Sequence, residues 1–186
     1  PKVVPSIYHP PVFHFAQKPQ SGETLWVSGG SGLFDREKFL ELGGFDPVFS
    51  PFYWEDIDLS YRARKQGMIC VFDPSAKVDH YHEEGTIKKT RSPFFIKTVS
   101  YRNQFLFVWK NISDYAMITQ HLLWFPNHFA KALLTLDLAF FLGFLWALAK
   151  IPRLIFKSQL SDVSGHLSTD NETLSDKEII DAFAKS

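Results

Sequence analysis

The chain has 186 residues, enough for one domain with a real core. Its 20 Lys and Arg balance 20 Asp and Glu, which argues against a nucleic-acid protein, because those carry a basic excess. The single cysteine, Cys70, cannot close an internal disulfide and fits a reducing compartment; its apolar flanks, MICVF, predict a buried strand residue.

The chain opens on Pro1 with no secretory signal, so it is expected to be a piece of something longer. Residues 1–24 hold five prolines and no clean period, and predict extended, irregular chain. LWVS (25–28) predicts a short strand running into the glycine loop GGSG (29–32). Asp35 predicts an N-cap for REKFLEL, with Gly43 and Gly44 closing that helix. A second helix is expected over about 55–66, stopped by Gly67, and strands over 68–72 and 76–81 with the turn DPS between them. Strand, glycine loop, helix, helix, strand and strand make an α/β unit over residues 1–92.

The character changes beyond that point, and residues 93–160 predict a helical region. Helices are expected over 94–111 and over 114–125, the latter stopped by Pro126. ALLTLDLAFFLGFLWALA (132–149) is apolar on nearly every face, with Lys131 and Lys150 at its ends. Eighteen residues at ~1.5 Å each reach ~27 Å, close to a ~30 Å hydrocarbon layer. Asp137 within it costs ~3 kcal/mol in a spanning helix unless it is paired or near an end. A spanning helix, a helix lying in the membrane plane and a buried core helix all fit. Basic residues among apolar ones in 150–157 favour membrane contact. Residues 161–186 predict a polar tail in which Ser175 and Glu178 form a capping box for a last helix that carries Ile179, Ile180 and Phe183.

Three groups of residues can carry chemistry. FSPFYWEDIDLSYRARKQG (49–67) sets Glu55, Asp56 and Asp58 directly behind Phe49, Phe52, Tyr53 and Trp54. Such acids are either a solvated helix start, favoured by the dipole, or a general base whose pKa is raised by burial or a neighbouring acid. Adjacent carboxylates on a helix point about 100° apart, so only one faces a given ligand, and Asp58 is expected to support the helix. VDHYHEEG places His80 and His82 on one strand face, either as polar strand residues or as two ligands of a metal that needs a third from elsewhere. GGSG is a plain turn or a loop whose N–H groups approach a phosphate or sugar; no Gly-Lys-Ser/Thr follows, so it is not a Walker loop.

Taken together, SGGSGLFDREKFLELGGFDPVFSPFYWEDIDLSYRARKQG followed by DPSAKVDHYHEEGTI resembles the C-terminal half of the catalytic domain of family 2 glycosyltransferases, over about residues 25–90. RNQFLFVWKN and the later helices are similar to the membrane-associating tails of rhamnosyltransferase-like members. The resemblance implies an α/β GT-A fold followed by apolar and amphipathic helices. It implies inverting transfer of a sugar from a nucleotide-diphosphate donor to a hydroxyl of a glycan or lipid-linked acceptor, in polysaccharide biosynthesis of the cell envelope at the cytoplasmic face of the membrane. Asp56 is then the base, with Glu55 beside it; Tyr53 and Trp54 stack on sugar. Gly29, Gly30 and Ser31 line the sugar pocket, and Arg62 and Arg64 face phosphate or form helix salt bridges. His80, with His82 as the weaker candidate, completes a divalent Mg or Mn site on the diphosphate. No D-x-D precedes residue 25 and the donor half is not in the chain, so residues 1–186 alone are expected to be inactive. Two rivals stand beside this reading. One is a non-catalytic, membrane-attached glycan-binding or accessory module. The other is a metal hydrolase built on His80, His82 and the acids, for which no nucleophile arrangement is visible.

Overall fold

The computed structural model describes residues 2–6, 9–14, 22–77, 86–155 and 173–184. The first strands, β1 (Lys2–Ser6) and β2 (His9–His14), pair antiparallel in place of the irregular chain expected there. Both strands are edges, so a proline N–H is not missed. Pro5 falls at the register shift between Val4 and Ser6. The second sheet is a minimal ribbon of β3 (Gly22–Glu23) and β4 (Val71–Phe72). The strand expected over 25–28 joins no ladder among the described residues: the Val27 N–H donates to Ser60 Oγ at 3.0 Å, a side chain of the acidic helix. The strand over 68–72 shrinks to β4, residues 76 and 77 are outside any ladder, and 78–81 lie outside the described residues.

α1 (Arg36–Glu41) starts where expected, with Asp35 Oδ1 accepting from the N–H groups of Glu37 and Lys38. It closes on Gly43 and Gly44, both at positive φ, with Gly44 N–H donating to Phe39 O. A 3-10 turn (Pro47–Phe49) capped by Asp46 leads through the aromatic loop to α2 (Glu55–Lys65), which Gly67 ends at φ 72°. Arg64 on α2 seals the β3–β4 ribbon by donating to Thr24 O and Cys70 O and pairing with Glu23 at 2.6 Å. Cys70 is buried there, and burial pushes its thiol pKa up.

The short α3 (Thr86–Thr90) precedes α4 (Pro93–Asn111), which Ser92 caps. α5 (Tyr115–Leu134) runs through Pro126 instead of stopping there. Pro126 sits on an exposed turn, where the carbonyl it leaves unbonded is not buried. The apolar segment 132–149 is not one helix. α5 ends with Leu136 at φ 51°, Leu136 N–H donating to Leu133 O and Asp137 N–H to Ala132 O. This double-bonded left-handed ending reverses the chain into α6 (Leu138–Leu148). Asp137 is therefore at a helix start, bonded to Lys97 Nζ at 2.8 Å and Tyr101 OH at 2.8 Å, which removes the cost of a charge in mid-helix. No helix among the described residues is long and apolar enough to cross a membrane.

α6 divides its apolar residues by shape. Ala139, Phe140, Gly143 and Ala147 are buried, and the Gly143 backbone lies so close to α4 that a Cβ there would stand 2.8 Å from Thr98 O. Phe105, Phe125, Phe129, Phe140 and Phe144 form edge-to-face pairs that join α4, α5 and α6. Leu138, Leu142, Leu145 and Leu148 remain on the exposed side.

The capping box at Ser175 is present, with Ser175 N–H donating to Glu178 Oε2 and Glu178 N–H to Ser175 Oγ. It opens α7 (Asp176–Ala184), whose Ile179, Ile180 and Phe183 are buried in the main core.

Candidate active site

α2 gathers its acids because three carboxylates in a first turn complement the unpaired N–H groups and the dipole there. They then separate into distinct roles. Asp58 is fully buried and structural: it accepts from Lys110 Nζ at 2.6 Å, Asn111 Nδ2 at 2.9 Å and Arg62 Nε at 2.9 Å. Lys110 also pairs with Asp46 at 2.8 Å, so α4 is stapled both to α2 and to the loop after Gly44. Asp58 thus supports the helix, as the sequence predicts.

Asp56 turns to the glycine loop. Its Oδ2 accepts from the Gly29 N–H at 3.0 Å, across 27 residues of chain, and its Oδ1 accepts from the Ile57 N–H at 2.8 Å. Two of the predicted groups, the acids and the glycine loop, therefore meet. Gly30 and Ser31 are exposed beside them. The loop glycine with the tightest surroundings is Gly32: a Cβ there would stand 2.2 Å from Val27 Cγ1 and 2.6 Å from Ser28 O. The sequence reading gave Gly32 no role, because a clash with residues four and five positions back is invisible without the fold.

Glu55 faces the other way. It borders a cavity of about 240 Å³ walled by Phe45, Pro47, Ser50, Pro51 and Phe52, with Asp46 at its edge. Glu55 Oε2 is buried and has no hydrogen-bond partner among the described residues. Burial raises the Glu55 pKa, its own backbone hydrogen bond opposes the rise, and the neighbouring Asp56 adds to it. A carboxylate in this state seeks a proton or a donor.

The four rings split into pairs. Phe49 and Phe52 belong to the core; Tyr53 is 37% exposed and Trp54 is half-buried against Phe107. Tyr53 and Trp54 both take positive φ, 70° and 75°, directly before the helix start. Arg62 does not face open solvent as a free phosphate ligand: its guanidinium donates to Asp58, to Leu42 O and to Gly44 O at 2.8 Å, the salt-bridge alternative of the sequence reading. Arg64 is likewise committed to the ribbon. His80 and His82 lie outside the described residues, and among the described residues no three His, Cys, Asp or Glu side chains come together as a metal centre. Two residues without a sequence-stated role stand behind the aromatic loop, Arg102 and Asn103 of α4, both buried.

Over 69 residues the chain is 38% identical to the N-acetylglucosaminyl-diphospho-decaprenol L-rhamnosyltransferase of two Mycobacterium tuberculosis strains, CDC 1551 / Oshkosh and ATCC 25618 / H37Rv. The match takes in 37% of this chain and 22% of each relative, so the chain spans about a fifth of the length of the curated proteins it matches. No protein-family model and no solved structure matches the chain.

Proposed function

We propose that this chain forms the acceptor side of an inverting GT-A glycosyltransferase of family 2 that acts on a lipid-linked glycan acceptor. The partial likeness to a rhamnosyltransferase supports a glycosyltransferase function in general. The observation that carries the finer reading is the contact of Asp56 with Gly29, which joins the expected base to the glycine loop, with Tyr53 and Trp54 directly before the helix that carries it.

In this reading Asp56 takes the proton of the acceptor hydroxyl. The freed oxygen attacks the anomeric carbon of the donor sugar from the face opposite the diphosphate. The bond to the diphosphate oxygen breaks, and its electron pair leaves with the nucleotide. The Gly29 and Ile57 N–H groups keep the carboxylate aimed, each leaving a lone pair on its oxygen for the incoming proton. Glu55, with a free buried oxygen, orients a second acceptor hydroxyl. Tyr53 and Trp54 stack on the apolar face of the sugar. A Mg or Mn ion at His80, with His82 in support, would supply charge neutralisation at the diphosphate. The nucleotide-sugar half of the site belongs to a partner segment or domain that these residues do not provide.

The test is transfer of L-rhamnose from its nucleoside-diphosphate donor to N-acetylglucosaminyl-diphospho-prenol by the full-length protein. Asp56→Asn is expected to lower the rate at least ~10²-fold while donor binding stays near wild type. Transfer by Asp56→Asn at the wild-type rate would remove Asp56 as the base, whereas glycan binding without transfer by the wild-type protein would move the weight to a non-catalytic glycan-binding module.

We also propose that α5 and α6 lie in the plane of the membrane at its cytoplasmic face. Their outward leucines form an apolar surface, and the exposed Lys131 and Arg153, near the ends of the two helices in sequence, would meet anionic headgroups.

A further inference from the structure

The loop that delivers the acids is held from behind by two adjacent residues of α4. Asn103 Nδ2 reaches three of its carbonyls: Phe49 O at 2.8 Å, Phe52 O at 3.0 Å and Tyr53 O at 2.8 Å. Arg102 NH2 donates to Phe49 O at 3.1 Å and Ser50 O at 2.5 Å. The pair is also locked internally, because Asn103 Oδ1 accepts from Arg102 Nε at 2.9 Å and from its NH2 at 2.7 Å. That contact fixes which end of the amide faces the loop: the oxygen points to the guanidinium and the NH2 to the carbonyls. Both residues are at most 1% exposed, and the Arg102 guanidinium lies 4.2 Å from the Trp146 ring of α6. Among the described residues no carboxylate pairs with Arg102.

A buried cation without an acid is a costly way to join two helices, since an apolar residue of similar size packs there with no desolvation. The arrangement makes sense for what it holds. Two consecutive non-glycine residues at positive φ, Tyr53 and Trp54, cost roughly 1 kcal/mol or more each and persist only where surrounding groups impose them. Their inverted backbone turns the Phe52 and Tyr53 carbonyls toward α4 and makes Trp54 the residue before α2, so that Glu55 and Asp56 occupy its first turn. We propose that Arg102 and Asn103 are positioning residues for the transfer reaction: they impose the left-handed pair at 53–54 and thereby set where Trp54, Glu55 and Asp56 meet the acceptor. The proposal rests on the glycosyltransferase reading for its catalytic consequence, but not for the clamp itself.

The test uses the full-length protein and two readouts. Asn103→Asp is isosteric and keeps an oxygen for Arg102, yet replaces the donor to three carbonyls by an acceptor. Amide exchange in peptides covering 49–56 is expected to rise about tenfold, with exchange in α7 unchanged, because only the loop loses its donor. In the transfer assay, kcat is expected to fall about 10²-fold with the donor KM within twofold, as displaced catalytic groups require. Arg102→Lys is expected to keep more kcat than Arg102→Met, because it retains donors to the carbonyls. Wild-type exchange over 49–56 in Asn103→Asp would overturn the proposal. So would exchange that rises evenly through α2, α4 and α7, which marks loss of fold rather than of loop position. If the wild-type protein transfers no sugar, the proposed function fails, and the exchange over 49–56 still decides whether the clamp exists.

Discussion

Asp56 and Gly29 are joined by a single hydrogen bond, yet Gly29 and Gly32 of that loop differ in what they tolerate. A Cβ on Gly29 would stand 3.4 Å from Asp56 Cβ, an ordinary contact, and Gly29 does not require a left-handed φ. A Cβ on Gly32 would strike a branched side chain and a backbone oxygen, neither of which can swing aside. Gly32→Ala is therefore expected to cost ~1–3 kcal/mol and to weaken sugar transfer by moving the loop, whereas Gly29→Ala keeps wild-type stability. Thermal melts of the two variants side by side check this, and equal melting temperatures would sink it. The contrast marks the limit of the letters: GGSG announces a loop near a ligand, but which glycine is sterically required depends on Val27 and Ser28 folding back over it. The acids were legible because a helix start has a chemical signature. Arg102 and Asn103 were not, because RNQF reads as an ordinary polar turn of a long helix, and the carbonyls that the pair holds lie some 50 residues back in the chain.

At the scale of elements, the run 132–149 shows how composition can be read correctly and topology missed. Its hydropathy is real, but the run does not extend along one helix axis. The left-handed Leu136 and the pairing of Asp137 with Lys97 and Tyr101 fold the run back, leaving 11 residues in α6, ~16 Å of helix. An all-apolar helix of that length leaves its outer stripe without a partner among the described residues. Leu134 is 85% and Leu136 78% exposed at the corner, with Leu138, Leu142 and Leu145 continuing the face. Since each leucine gains ~1.5–3 kcal/mol on leaving water, two polar replacements should remove ~3 kcal/mol of membrane affinity, about 10²-fold. Leu142→Ser with Leu145→Ser is expected to leave the fold intact and to abolish co-flotation with phosphatidylglycerol vesicles. Undiminished flotation would refute the membrane assignment, as would a wild-type protein that instead buries this face in a stable dimer indifferent to lipid.

Across the whole molecule, the last helix closes the structure on the acidic one. The capping box at Ser175 was readable; its destination was not, because nothing in a polar tail states which surface, 115 residues back, it will meet. The anchor is Asp176, 1% exposed, which accepts from Tyr61 OH at 2.5 Å and from the N–H groups of Ser113 and Asp114, and pairs with Lys65 at 2.9 Å. Tyr61 and Lys65 belong to α2, so α7 braces the far end of the helix whose first turn carries Glu55 and Asp56. Burial alone raises the Asp176 pKa, but the bonds from Tyr61, Ser113, Lys65 and Asp114 outweigh it and hold it down at about 2, against an ordinary 3.8. A carboxyl with a depressed folded pKa contributes stability that is complete above its unfolded pKa and disappears as the pH falls through the folded one. The Asp176 contribution is thus present above pH 3.8 and lost between 3.8 and about 2. Asp176→Ala removes it at every pH, leaving the Tyr61 hydroxyl without its acceptor and Lys65 without its carboxylate, which should cost ~3 kcal/mol, or ~6–12 °C in Tm, at pH 7. The gap between the two proteins should narrow as the pH drops toward 2, because the wild type then loses what the variant already lacks. Equal Tm values at pH 7 would mean that α7 rests on α2 without bracing it. A gap that held constant into acid would mean that the packing of Ile179, Ile180 and Phe183, and not the Asp176 carboxylate, fastens the end of the chain.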